Sequence, residues 1–276
     1  MHARTRHSPP REISRERAER RKDRSDTRGS SLFDAYRSQM SMSSATTCTD
    51  LLRLDDSHAP TDRLGWLKHL HEKGCPWDED TCRAAAENGH LECLKFLHEN
   101  GCPWDESVCR YAAFEGQLEC LKYAHEHGCE WNSRTCYYAS SNGQIECLKY
   151  AHEHGCPWGE QACADAAESG HLECLRYAHV NGCAWDQTTC DVSAYNGKLE
   201  CLKFACENGC PHDTETYESA VEGGHRECVQ YLRTVCKCPI ESAMEALDDI
   251  KERIPEGKYI TICHGLMHAH RSKKAT

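Results

Sequence analysis

The chain lacks most of the features that would declare a function outright. No apolar run approaches the roughly 20 residues that cross a bilayer, so no helical membrane span is expected and the chain reads as soluble. No apolar signal-type stretch follows Met1, so the expected setting is the reducing cytoplasm or nucleus. No nucleophile elbow, P-loop, glycine-rich dinucleotide run or His-Glu-x-x-His pair occurs, and enzymatic activity is not expected. The carboxylate pair Asp248-Asp249 reads as part of a solvated cap. These absences leave no place for a cofactor or a small-molecule substrate.

What is present is cysteine, 22 of them in 276 residues. In a reducing compartment they are expected as thiols and not as a disulfide framework. The net charge of -11 is uneven: residues 1–30 carry ten Lys/Arg against five Asp/Glu, and the rest of the chain is acidic. An acidic body is a poor match for a phosphate backbone, so no nucleic-acid partner is expected. The run "RERAERRKDR" holds interleaved acids and few apolar residues, and reads as a solvated, disordered arm over residues 1–46. A nuclear localisation signal or nucleic-acid patch is the other reading of that run.

Self-similarity organises the remainder. Glycine recurs at Gly74, Gly101, Gly128, Gly155, Gly182 and Gly209, every 27 residues, each followed by cysteine. Tryptophan recurs at Trp77, Trp104, Trp131, Trp158 and Trp185 and then gives way to His212. Two further cysteine columns run through Cys82 to Cys190, ending in Tyr217, and through Cys93 to Cys228. Six units span 75–236, preceded by a degenerate capping repeat over 47–74. A capping helix is expected over 237–255, followed by a tail over 256–276.

Each unit predicts two short helices. Asp78, Asp105, Asn132 and Asp186 stand where an N-cap carboxylate or amide accepts from free N–H groups. Gly89 can take the left-handed conformation that ends the first helix. Leu91, Cys93, Leu94 and Leu97 give the second helix an apolar stripe, with Glu92 and Lys95 paired three apart. Neither helix buries its stripe alone, so the units must stack.

The segment "AAENGHLECLKFLHENGC" (Ala85–Cys102) resembles the ankyrin repeat, with "TC" at Thr81-Cys82 in place of the usual "TPLH". The period is shorter than the family's usual length of about 33. The residues missing are those that form the protruding hairpin. The arrays are similar to those encoded by large DNA viruses and some protists. The resemblance implies an all-α helix-turn-helix solenoid, with hairpins shortened or absent, that binds proteins and catalyses nothing.

Because the units repeat, constant columns read as frame and variable ones as free for recognition. The columns at 83, 84 and 87 vary and share one face of the first helix. The candidate partner-binding residues are Arg83, Arg110, Tyr111, Phe114, Tyr137, Tyr138, Asp165, Asp191 and Tyr195. Tyr and Arg are enriched at binding hot spots. With Glu168, Glu218 and Glu222 nearby, the expected partner is a protein with an apolar centre and a basic segment, bound by a monomer. A substrate-recruiting adaptor of a ubiquitin ligase or other host machinery is the alternative, and a metal- or redox-regulated binding protein a third.

The repeated cysteines read as small buried hydrophobes, since structural zinc needs four converging ligands and Cys75 and Cys82 are seven apart. The histidine column (His98, His125, His152, His179) reads as outer-face polar residues copied with the unit, and no metal ligand is assigned. A site joining His225, Cys228, Cys236, Cys238, Cys263 and His264 stays open.

Overall fold

The computed structural model describes residues 47–54, 62–158 and 162–235. The basic arm, the expected capping helix over 237–255, and Cys236, Cys238, Cys263 and His264 lie outside the described residues. All regular structure among the described residues is helical. The chain divides into two compact units at the Thr81/Cys82 boundary.

In the first unit, α1 (Cys48–Arg53) and α2 (Arg63–Glu72) pack against each other and bury Cys48, Leu51, Leu52, Leu67 and Leu70. Thr47 and Asp50 form a reciprocal capping box that satisfies the free donors at the start of α1. Asp62 caps α2 by accepting from Gly65 N at 2.8 Å. Asp78 accepts from Thr81 N at 3.1 Å, and the Thr81 and Thr49 hydroxyls meet at 2.8 Å. The division between the units falls inside α3 (Glu79–Glu87).

The second unit is a stack of helix pairs. First helices are α3, α5 (Glu106–Phe114), α7 (Ser133–Ser141), α9 (Ala162–Ser169), α11 (Gln187–Tyr195) and α13 (Thr214–Gly223). Second helices are α4 (Leu91–Glu99), α6 (Leu118–Glu126), α8 (Ile145–Glu153), α10 (Leu172–Val180), α12 (Leu199–Glu207) and α14 (Arg226–Val235). From α5 onward successive first helices pack on one another, and from α4 onward so do successive second helices. The expected caps are in place: Asp105 accepts from Ser107 N at 2.9 Å, Asn132 from Arg134 N at 3.0 Å and Asp186 from Thr188 N at 3.0 Å. Residues 100–105, between a second helix and the next first helix, contain no strand, so the hairpin of longer ankyrin units is missing there.

Between the layers lies a core built from the repeated columns. Leu94, Leu121, Leu148, Leu175 and Leu202 are fully buried, each contributing about 2 kcal/mol of apolar burial. The pairs Ala112/Ala113, Ala139/Ser140 and Ala166/Ala167 are buried as well, so the first helices approach closely. Where a unit turns, Gly101 holds φ +79, and a Cβ added there would meet nothing within 4 Å, so only its backbone conformation demands glycine. Gly116 (φ +75) lies in addition against the Gln144 side chain of the next unit.

The thiols do more than fill volume. Cys129 donates to Asp105 O at 3.1 Å, Cys156 to Asn132 O at 3.2 Å and Cys210 to Asp186 O at 3.1 Å. Each therefore ties the turn of one unit to the cap residue of the unit before, which an alanine at that place could not do. Burial pushes Cys120 and Cys147 up to about 12 and Cys174, Cys201 and Cys228 up to about 11, keeping these thiols protonated and unreactive.

The histidine column corrects the sequence expectation. These residues do recur as frame, but they are packed and not merely solvated. His98 stacks on Trp104 at 4.0 Å, His125 on Trp131 at 3.8 Å, His152 on Trp158 at 4.3 Å and His179 on Trp185 at 3.6 Å. Across the junction, His98 Nδ1 meets the Tyr123 hydroxyl at 3.1 Å, His125 that of Tyr150 at 3.0 Å and His152 that of Tyr177 at 3.1 Å. Phe204 takes the tyrosine's place at the next junction and keeps the edge contacts with His179 and Trp185. An aromatic ladder thus runs along the second helices.

Candidate functional site

The variable columns lie on the opposite layer, on the first helices. Their caps fix the start of each helix, and the buried alanine pairs fix its rotation. The side chains at the 83, 84 and 87 positions are consequently left at the surface, mostly half-buried. Two small members are covered instead: Ala84 is fully buried and Ala164 is 8% exposed.

The structure gathers six of the nine sequence-picked residues into one network. The Arg83 and Arg110 guanidinium groups both lie over the Tyr111 ring, at 4.9 and 5.1 Å from its centroid, within the range of cation–π attraction. Tyr111 meets Phe114 edge-on at 6.4 Å, Phe114 meets Tyr138 at 5.6 Å, and Tyr138 meets Tyr137 at 5.0 Å. Offset and edge-on pairs of this kind contribute beyond the area they bury. Tyr137 remains 40% exposed at the end of the chain of rings.

Beyond Tyr137 the face turns acidic. Burial, with the neighbouring Glu168 charge adding to it, pushes the Asp165 carboxyl up to about 6. The charges of Asp165 and Glu168 in turn reach Tyr137, whose hydroxyl is raised first by burial. Asp191 is raised by burial against an opposing hydrogen bond from the Thr216 hydroxyl, with Asp213, Glu215 and Asp186 close by. Asp191 is therefore partly occupied in joining α11 to α13. Tyr195 is 51% exposed and stands apart from the ring network.

Sequence reasoning missed three arrangements. The ladder rests on contacts 25 residues apart, which only a superposition of the units in space reveals. The second was a set of side chains closing the second helices: Asn100, Asn181 and Asn208 each donate to the carbonyl four residues back at 2.8 Å, and His127 and His154 occupy the same place. The third is a convergence of Cys190, Cys206 and His212, whose ligand atoms lie within 4.8 Å of one another.

Capped helix pairs, a constant interior and one variable face define a helical-repeat scaffold. Its particular kind follows from comparison: the family model for ankyrin repeats (three copies) matches residues 81–162 and 110–183. Among solved structures, the human ASB11 ankyrin repeat domain is similar at a TM-score of 0.50 and 19% identity, over 56% of this chain and 82% of that one. That likeness concerns the fold. No curated protein matches the chain. The fold is that of an ankyrin-repeat solenoid, and such repeats generally serve as non-catalytic modules for binding other proteins.

Proposed function

We propose that the chain is a protein-binding scaffold whose partner docks on the first-helix face from Arg83 to Asp165. One observation carries this reading. The variable face of the first helices carries a continuous run of half-exposed arginine and aromatic side chains. Aromatic and arginine anchors concentrate binding energy where they are packed and preorganised. The raised Asp165 carboxyl favours a partner that brings a cation to it. The partner is thus a protein with an apolar centre and a basic segment, bound by a monomer in a reducing compartment. The cysteines, several of which donate hydrogen bonds as thiols, suit that compartment.

Affinity capture with the full chain tests the reading. Tyr111→Ala with Tyr138→Ala is expected to lose the captured protein, as is Tyr137→Glu, at the most exposed ring of the network. Circular dichroism is expected to stay that of the parent. Retained capture by both variants refutes the reading. Recovery of ubiquitin-ligase subunits alongside the partner would support the adaptor form of the same scaffold.

A further inference from the structure

The ladder breaks at one junction, and it breaks on both sides at once. Where His179 and Trp185 stand one unit earlier, the last complete junction carries Cys206 and His212. The pair that stacks elsewhere is here a thiol and an imidazole. Cys206 lies at the end of α12, His212 in the loop before α13, and the fully buried Cys190 in α11 faces them. Cys190 and Cys206 Sγ are 3.9 Å apart, and a ring nitrogen of His212 completes a group within 4.8 Å. Among the described residues no other trio of His, Cys, Asp or Glu converges in this way.

We propose that Cys190, Cys206 and His212 form a zinc site that clasps α11, α12 and the loop leading to α13. Two thiolates on one tetrahedral Zn²⁺ lie about 3.8 Å apart, as Zn–S bonds of about 2.3 Å require, and the observed sulfur spacing needs almost no adjustment. His212 Nδ1 is within 2.9 Å of the Cys210 carbonyl. An N–H donated there leaves the lone pair on Nε2 and fixes the ring, the arrangement usual for metal-bound histidine. The Cys210 thiol lies against Cys190 but donates to the Asp186 carbonyl and stands outside the group, so the protein supplies three ligands and water the fourth, the open arrangement of a three-ligand zinc site. Binding transfers no electrons: Zn²⁺ gains two sulfur ligands and one nitrogen, and the Cys190 and Cys206 protons pass to solvent.

The test uses the full chain, reduced and freed of metal, titrated with Co²⁺ alone and then with Zn²⁺. The expected result is one equivalent of Co²⁺ with sulfur-to-cobalt charge-transfer absorption and the visible bands of a tetrahedral site, bleached by Zn²⁺. The variant Cys206→His with His212→Trp restores the pair found at the other junctions and should fold like the parent. It is expected to lose that equivalent. Failure of the parent to bind Co²⁺ overturns the proposal, as does an unchanged spectrum in the ladder-restoring variant. A loss of two thiols in air at Cys190 and Cys206, without metal uptake under reducing conditions, also overturns it in favour of a disulfide.

Discussion

Replacing Trp131 with alanine probes whether the ladder holds neighbouring units together. The change removes the stack on His125 at 3.8 Å and the edge contact with Tyr150 at 6.1 Å. Full truncation of a buried tryptophan costs about 3–5 kcal/mol, and each aromatic pair contributes about 0.5–1.5 kcal/mol beyond its area. For a half-buried ring the expected loss is about 2–3 kcal/mol. Tyr150→Phe removes only the hydroxyl at His125 Nδ1 and should cost about 1 kcal/mol, since Phe204 shows that the ring seats without it. Urea unfolding followed by far-ultraviolet circular dichroism reads both. A double-mutant cycle over His125→Ala and Trp131→Ala isolates the stack, with an expected coupling of about 1 kcal/mol. A coupling indistinguishable from zero, with Trp131→Ala costing under about 0.5 kcal/mol, refutes the claim that the ladder joins the units. The same residues set an acid limit. Burial first, and the His154 charge second, hold His125 below the ordinary histidine value, as burial and His127 do for His98. The unfolded chain then takes up protons first, so stability is full above about pH 6.5 and falls as the pH drops below it. It levels off once the folded histidines titrate too.

Glycine substitutions separate backbone demand from crowding. Gly128→Ala meets open space and should cost about 1–2 kcal/mol for its positive φ alone. Gly116→Ala must also displace Gln144 from the Phe114 carbonyl and should cost about 1 kcal/mol more; equal unfolding midpoints would contradict this. Asp165→Asn should move stability and binding in opposite directions. With its carboxyl raised to about 6, Asp165 destabilises the fold progressively as pH rises from the unfolded value through that point. The asparagine variant should therefore be more stable at pH 7, by about 1 kcal/mol after allowance for solvent screening. It should also bind a basic partner more weakly; a thermal melt and a binding isotherm check the two signs.

The helix pairs were legible because the constraints that make them are local and copied. A cap at Asp105, a left-handed glycine at Gly116 and a leucine stripe through Leu121 speak for themselves in each unit. The face from Arg83 to Tyr138 was legible for the opposite reason, since variation stands out against a copied background. What could not be read was pairing between columns. Nothing in the one-dimensional pattern says that His125 lies on Trp131 while its nitrogen reaches Tyr150. Without that pairing, Cys206 and His212 look like separate losses of two columns in a fading terminal unit. Once the stack is known, they form a single coordinated exchange.

The reach of the bonds between units has an evolutionary consequence. His98 to Tyr123 spans 25 residues, Cys129 to Asp105 spans 24 and Cys109 to Cys129 spans 20, all less than one period. A recombination event that excises or duplicates one whole unit among those carrying Tyr123, Tyr150 and Tyr177 therefore re-creates the histidine–tyrosine bond at the new seam. Array length can drift between generations while every surviving joint stays intact, and the exposed face is lengthened, shortened or reshuffled in steps of 27 residues. The seam at Cys206 and His212, where thiol and imidazole replace the stacked pair, is not interchangeable with the others.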